Sequence, residues 1–277
     1  MLDNVKNGKL SKSKFFERIW ENFFSKKFSQ IPLLGLLLRF SDLHFAGSRL
    51  RAGWSVLTPL VVVGVVAWVF FDFFNFHSKE LVFSVLVGMI FWQWFQATLS
   101  QGHRLFLDQR HFFKSLQTPR EFFVPALVSF RALLAIPGVI LVVLGVGIAT
   151  QFSWAQGLLF ILLILFWFVF ILGVTYLFST WTVFWPDFSH GLESFLSLLL
   201  WLSPVFYSGN QIPDDFRWML WVNPLAWFLE GVRGSLNLPH ILSTWICVLL
   251  FGLFSVWTLL FGFFYFQKHQ KELLALI

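Results

Sequence analysis

Residues 157–185 read GLLFILLILFWFVFILGVTYLFSTWTVFW and contain no Asp, Glu, Lys or Arg. An α-helix rises about 1.5 Å per residue, so about 20 apolar residues are enough to cross the hydrocarbon core of a bilayer. The run is longer than that, and it lacks the alternation with a period of two that a membrane β-barrel strand requires. The stretch therefore predicts a membrane-spanning helix.

The rest of the chain has the same character. Of its 277 residues, 57% are hydrophobic and 12% are charged, whereas an average soluble domain is about 25% charged. Apolar runs of similar length recur, and together they predict an all-α integral membrane protein with six transmembrane helices. The expected spans are residues 53–71, 81–100, 122–149, 157–185, 194–210 and 241–267.

The positions of Lys and Arg predict the orientation, because basic residues near the ends of spans stay on the cytoplasmic side. Ten of the 20 fall in residues 1–52, and others fall between the second and third spans and in the tail, residues 268–277. The opposite side receives only Lys79, Arg217 and Arg233. We expect both termini in the cytoplasm, and we attribute the net charge of +6 to this asymmetry rather than to nucleic-acid binding.

Residues 1–52 form a cytoplasmic region before the first span. Within it, Lys14–Phe28 places aromatic residues at helical spacing opposite charged ones, which predicts an amphipathic helix lying along the membrane surface. Packing of this helix against a partner protein is the alternative. A cleaved signal peptide is not expected, because the first long apolar run starts only near residue 53.

The segment between the fifth and sixth spans is apolar but interrupted. Trp218–Leu229 is as hydrophobic as a span, yet it is too short to cross a bilayer and contains Pro224. Broken backbone is tolerated at membrane depth only where protein or a water-filled cavity surrounds it. Residues 211–237 are therefore predicted to form a re-entrant pair of short helices on the outer side, with an amphipathic surface loop as the alternative.

Three segments, in order along the chain, resemble one known family. They are Gly53-Trp54-Ser55 with Thr58-Pro59-Leu60, WQWF at 92–95 leading to Pro119-Arg120-Glu121, and SPVFY at 203–207 followed by Asn223-Pro224-Leu225 and Glu230-Gly231-Val232-Arg233. From about Asp42 to the C-terminus the chain resembles permease subunits of ABC-2 type exporters. The similar branch exports polysaccharides and polyol phosphates, such as O-antigen lipopolysaccharide, capsule and teichoic acid.

The resemblance implies a homodimer in a bacterial or archaeal cell membrane, carrying two copies of an ABC ATPase subunit on its cytoplasmic face. The expected cargo is a lipid-linked glycan or polyol-phosphate polymer. The chain contains no GxxxxGK[ST] motif, whose amides and lysine cradle nucleotide phosphates. We therefore expect no cofactor on this chain, and we expect ATP and Mg²⁺ on the partner ATPase.

The resemblance also assigns roles to particular residues. It implies a coupling element across the cytoplasmic face at residues 105–121, although an ordinary positively charged loop is the simpler interpretation. The residues expected to contact the ATPase are Arg110, Lys114, Pro119, Arg120 and Glu121. Aromatic walls let sugar rings slide, and an intramembrane arginine suits an anionic group. The residues expected along the substrate path are Trp92, Trp94, Phe95, Arg131, Tyr207, Trp218 and Trp221.

Two other functions stay open from the sequence. One keeps the fold and changes the cargo to a lipid, a drug or a haem-like molecule. The other is an integral-membrane glycosyl or acyl transferase, which needs clustered carboxylates or histidines near one membrane surface. The seven histidines show no i, i+4 pair, and we interpret Asp214-Asp215 as a turn and helix cap, so we expect neither catalytic nor metal-binding residues.

Overall fold

The computed structural model describes residues 32–46, 53–69, 79–110, 120–149 and 153–276. These residues form α-helices, short 3₁₀ turns and connections, with no strand among them, which confirms the all-α prediction. The predicted surface helix over residues 14–28 lies outside the described residues. We number the described helices in chain order: α1 (Pro32–His44), α2 (Trp54–Trp68), α3 (Lys79–Gly102), α4 (Leu105–Asp108), α5 (Phe123–Ala149), α6 (Trp154–Phe184), α7 (Asp187–Leu202), α8 (Trp218–Val222), α9 (Pro224–Ser235) and α10 (Thr244–Leu276).

Within the described ranges, four segments are long and apolar enough to cross a membrane: Lys79–Gly102, Arg120–Gly147, Trp154–Phe184 and Thr244–Leu273. They correspond to the second, third, fourth and sixth predicted spans. Helix α2, with 15 residues, and α7, with 16, are shorter than the roughly 20 residues that a straight crossing needs. Helix length thus supports four spans, and the count of six is not established by it.

The fifth predicted span, residues 194–210, differs from the helix observed there. Helix α7 begins at Asp187, because an acidic residue is favourable in the first turn of a helix and Glu193 can lie on an exposed face. It ends at Leu202, because Pro204 disfavours helical geometry at Ser203, whose φ and ψ are −100° and 146°. The uncharged run and the helix are therefore offset by about two turns.

The most extensive contact in the structure joins α6 and α10. A Cβ atom built on Gly173 would lie 2.5 Å from the amide nitrogen of Leu259, and one built on Gly262 would clash with the carbonyl oxygen of Gly173. Small residues allow two membrane helices to approach backbone to backbone, where dispersion contacts replace the hydrophobic effect. These two glycines therefore set the distance between α6 and α10.

A larger side chain at this contact must push the two helices apart. We expect Gly173→Val to lower the free energy of unfolding by roughly 1–3 kcal/mol, the usual cost of overpacking a tight contact. The thermal unfolding midpoint in a mild detergent measures the change. Gly157→Val is the matched control on the same helix, since a Cβ there meets no atom within 4 Å. Equal midpoints for the two variants would contradict the assignment.

Candidate functional site

The chain breaks at the end of α7 and does not resume a long helix until α10. Between them lie two 3₁₀ turns, Gly209–Gln211 and Asp214–Phe216, and the short helices α8 and α9. Helix α9 packs against α10, α6 and α3, so this connection is part of the helix bundle. We call residues 203–243 the insertion.

Side chains of the insertion bond the exposed carbonyl groups at the end of α7. The Asn223 amide donates to the carbonyl oxygen of Leu202 at 3.3 Å and to the Ser203 hydroxyl at 2.9 Å. The Tyr207 hydroxyl donates to the carbonyl oxygen of Trp201 at 3.2 Å. Asn223 also begins α9, since its side-chain oxygen accepts the amide of Leu225 at 3.0 Å. One asparagine thus ends one helix and starts another.

Arg233 bonds the next carbonyl groups of the break. Its guanidinium donates to the carbonyl oxygens of Pro204 at 2.5 Å and Val205 at 3.4 Å. Both bonds come from Nη2, which also donates to the carbonyl oxygen of Ser84 in α3 at 3.3 Å. Gly88, one turn further along α3, permits this approach, because a Cβ there would clash with the carbonyl oxygen of Val205. Arg233 therefore fixes the broken backbone to α3.

Glu230 neutralises Arg233 inside the protein. Their side chains lie 3.3 Å apart, and both have an exposed fraction of 0%. The carboxylate also accepts the amides of Gly209 at 3.2 Å and Ile241 at 2.7 Å. Charges removed from water need both a counter-charge and hydrogen bonds, and this pair has them. The pair connects both ends of the insertion to α9.

The insertion reaches deep into the bundle. The Phe228 ring stacks on Trp167 of α6, with ring centroids 3.9 Å apart, and packs edge to face on Phe91 of α3 at 4.9 Å. Trp167 is the thirteenth residue after Trp154, which places it about 20 Å along α6 from its first residue. The start of α9 therefore lies near the middle of the long helices.

The residues predicted for a substrate path occupy different environments. Trp92 and Phe95 are buried, and Phe95 stacks on Phe170 of the same chain. Trp94 is also buried, Tyr207 is half-buried, and Arg131 lies in α5, where it bonds Gln101 of α3 at 3.0 Å. Trp218 and Trp221 are more than half exposed, at 60% and 51%. The structure thus does not bring the seven residues together, and their role in transport stays a prediction.

The residues predicted to contact an ATPase lie partly in the described structure. Arg110 is exposed, and Arg120 and Glu121 are half-buried in a 3₁₀ turn, Arg120–Phe122, which leads into α5. The Tyr176 hydroxyl donates to the carbonyl oxygen of Glu121 at 2.6 Å, which attaches this turn to α6. Lys114 and Pro119 lie outside the described residues.

Helix α7 presents polar residues that the sequence interpretation did not single out. Glu193, Ser194 and Ser197 are exposed on it, and the Ser100 hydroxyl of α3 donates to Glu193 at 3.2 Å. Beneath them, the buried His103 ring lies 2.9 Å from the Ser189 hydroxyl. An isolated carboxylate inside a predicted membrane protein is the feature that could have identified this surface. We call the exposed Glu193, Ser194 and Ser197 the polar face of α7.

The long apolar helices, with a broken connection before the last of them, define a multi-pass membrane protein. The chain belongs to the ABC-2 type transporter family, which matches residues 32–237. It is similar to an O-antigen export system permease protein RfbA of Klebsiella pneumoniae, at 24% identity over 72% of this chain and 79% of the relative. A protein of the same description from Myxococcus xanthus is 25% identical over 73% of this chain and 78% of the relative.

Removing one member of the buried pair leaves an uncompensated charge. We expect Glu230→Gln to lower the free energy of unfolding by roughly 3–5 kcal/mol, because Arg233 stays buried without its anion. The matched control is Asp214→Asn, which breaks the exposed Asp214–Arg217 pair of the same i, i+3 spacing. Exposed pairs contribute about 0–1 kcal/mol. Unfolding midpoints in one detergent compare the two, and equal losses would contradict the assigned role.

Proposed function

We propose that this chain is the membrane-spanning permease subunit of an ATP-driven exporter of a lipid-linked polysaccharide or polyol-phosphate polymer. In this proposal, two copies form the pore and each carries an ATPase subunit on its cytoplasmic face. Family membership and the O-antigen export permeases among the relatives support the class of transporter and the class of cargo. The polar face of α7 is the observation that supports a pore between two copies.

Ser194 and Ser197 bond carbonyl groups of their own helix, but lipid tails cannot solvate the Glu193 carboxylate, which accepts one hydrogen bond from Ser100. An exposed carboxylate within a membrane helix therefore requires water or a protein partner. Glu193, Ser194 and Ser197 point away from the core of their own subunit. A second copy placed against α7 encloses this face on both sides and produces a hydrated passage. The proposal therefore puts α7 of each subunit at the centre of the assembly.

The proposed membrane topology has six crossings. Helices α2 and α7 supply the two that helix length alone does not establish, and the insertion completes the crossing that α7 begins. Helix α7 covers about 24 Å of a hydrocarbon core about 30 Å thick. The contacts of Phe228 near the middle of α6 support a re-entrant path for α8 and α9 from the outer side.

The exposed aromatic side chains of the insertion suit a polymer of sugar units. Trp218 and Trp221 are each more than half exposed in the single chain, as is Trp201 at the end of α7 next to the insertion. Sugar rings have apolar faces that stack on indole rings, so such a surface guides a long chain without holding it at one position. Trp92 and Phe95 are packed inside one subunit, so they would line a passage only if this packing opened.

ATP and Mg²⁺ belong, in this proposal, to the partner ATPase. The turn at Arg120–Phe122 offers a positive and a negative side chain close together at the end of α5 where the predicted cytoplasmic side lies. Complementary charges fix the register of a protein interface more than they raise its affinity. Because this turn is bonded to α6 through Tyr176, movement of the ATPase is transmitted to a long helix.

A pore between two copies of α7 brings equivalent residues of the two chains together. In a Cys247→Ala background, which removes the one native cysteine, we expect Ser197→Cys to form a disulfide-linked dimer in native membranes under mild oxidation. Non-reducing electrophoresis measures it. Leu253→Cys is the control, since Leu253 is 67% exposed on α10, away from α7. A dimer formed equally by both cysteines, or by Leu253→Cys alone, would exclude this arrangement.

A reversed charge in the turn before α5 should weaken attachment of the ATPase. We expect Arg120→Glu to reduce the ATPase that co-purifies with the chain at least tenfold and to abolish ATP-dependent appearance of polymer outside the cell. Arg217→Glu, on the predicted outer side, is the control and should retain the ATPase. Unchanged co-purification after Arg120→Glu would remove this turn from the interface, and absence of any ATPase with the unaltered chain would refute the transporter proposal.

A further inference from the structure

A cavity of about 310 Å³ lies between α1, α2, α3 and α5. On α3, the cavity is lined by Gln93, Trp94 and Ala97. Gln101 lies one turn further along the same helix. The α3 residue that bonds α7 is Ser100. Consecutive residues of an α-helix with 3.6 residues per turn point about 100° apart, so Gln101 and Ser100 occupy different faces of α3. The cavity is therefore distinct from the polar face of α7.

The charge of the cavity comes from Arg131. Among the described residues, no Asp or Glu lines the cavity. Within the part of the chain that the structure describes, Gln101 is the hydrogen-bond partner of Arg131, and this contact uses the guanidinium Nε alone. A cation inside an apolar helix is costly unless an anion or water compensates it. The remaining guanidinium nitrogens are therefore available to an anion that enters from outside the chain.

Two further donors line the same cavity. Trp94 is buried, and its indole N–H has no hydrogen-bond partner among the described residues. Partial burial, and after it the positive charge of Arg131, lowers the pKa of His44, whose ring carries at least one N–H in either protonation state. A buried donor without an acceptor, as at Trp94, costs free energy. Arg131, Trp94 and His44 together therefore favour an acceptor with several oxygen atoms.

The cavity lies toward the predicted cytoplasmic end of α5. Arg131 is eight residues from the first residue of α5, which is about 12 Å along the helix from its predicted cytoplasmic end. Trp54, a half-exposed lining residue, begins α2 at that end, and tryptophan is enriched at the membrane interface. Beyond Arg131, α5 exposes Leu133, Ile136 and Ile140, which offer an apolar surface to acyl chains.

We infer that this cavity binds the phosphate group of an anionic phospholipid from the cytoplasmic leaflet, with the acyl chains along the exposed side of α5. The phosphate oxygens accept hydrogen bonds from Arg131, the Trp94 indole and His44. A bound lipid would hold α1 against α3 and α5, because its phosphate contacts a residue of each of the three helices. The site does not depend on transport, so it can be tested without cargo or nucleotide.

The test is native mass spectrometry of the purified full chain titrated with phosphatidylglycerol. Hydrogen bonds to charged groups contribute about 1.5–3 kcal/mol, so we expect Arg131→Gln to weaken the tightest lipid adduct about tenfold or more. Trp94→Phe keeps the ring and removes the N–H, and should weaken the adduct a few fold. Arg104→Gln is the control, because Arg104 is half-exposed and pairs with Asp108 at the same end of the bundle.

Each outcome decides for or against the site. Adducts unchanged by both Arg131→Gln and Trp94→Phe would overturn it, as would equal weakening by Arg104→Gln, which indicates general attraction to basic residues. Displacement of phosphatidylglycerol by a prenyl diphosphate at a lower concentration would assign the cavity to a carrier lipid instead. Displacement by inorganic phosphate alone would show that the acyl chains do not contribute. Unfolding midpoints without added lipid confirm that the variants are folded.

Discussion

Unbonded peptide groups in the break between α7 and α10 are the constraint on which this structure depends. The break after Leu202 leaves carbonyl groups without a partner in the helix, and within a membrane protein each is costly without a donor. Asn223, Tyr207 and Arg233 supply those donors from the insertion itself. Glu230 then balances the charge that Arg233 introduces and binds amides at both ends of the insertion. The helix can therefore stop inside the bundle.

Much of the fold could be predicted because the membrane requirement is simple. The runs at 81–100, 122–149 and 157–185 match helices α3, α5 and α6 to within three residues at each end. The fifth helix could not be placed in the same way. Absence of charge identifies segments that lipid accepts, but α7 begins at Asp187 and includes Glu193, so its first two turns lie outside the uncharged run. The end of α7 could be predicted from Pro204, because proline disfavours helical geometry in the residue directly before it.

The environment of each aromatic residue could not be predicted from the sequence. In a water-soluble helix, apolar residues mark the buried face, whereas in a membrane both the protein core and the lipid accept Phe and Trp. Phe95, in the core, and Trp218, at the surface, therefore look alike in the sequence. Polar residues carry more information: Glu230 and Arg233 are three positions apart, as a helical ion pair requires, although the carbonyl groups that they organise lie in other segments.

The close contact of α6 with α10 has a consequence for how the protein is made. Helix α10 is translated after α6 and α9. Gly173 of α6 therefore stays without its partner until residues near Gly262 have left the ribosome. The carboxylate of Glu230 likewise waits for the amide of Ile241. Until then, the contacts open to the earlier helices are those they make with one another, such as α3 on α5. A chain that ends before α10 would therefore leave Gly173 and the Glu230 carboxylate without the partners that α10 and Ile241 supply.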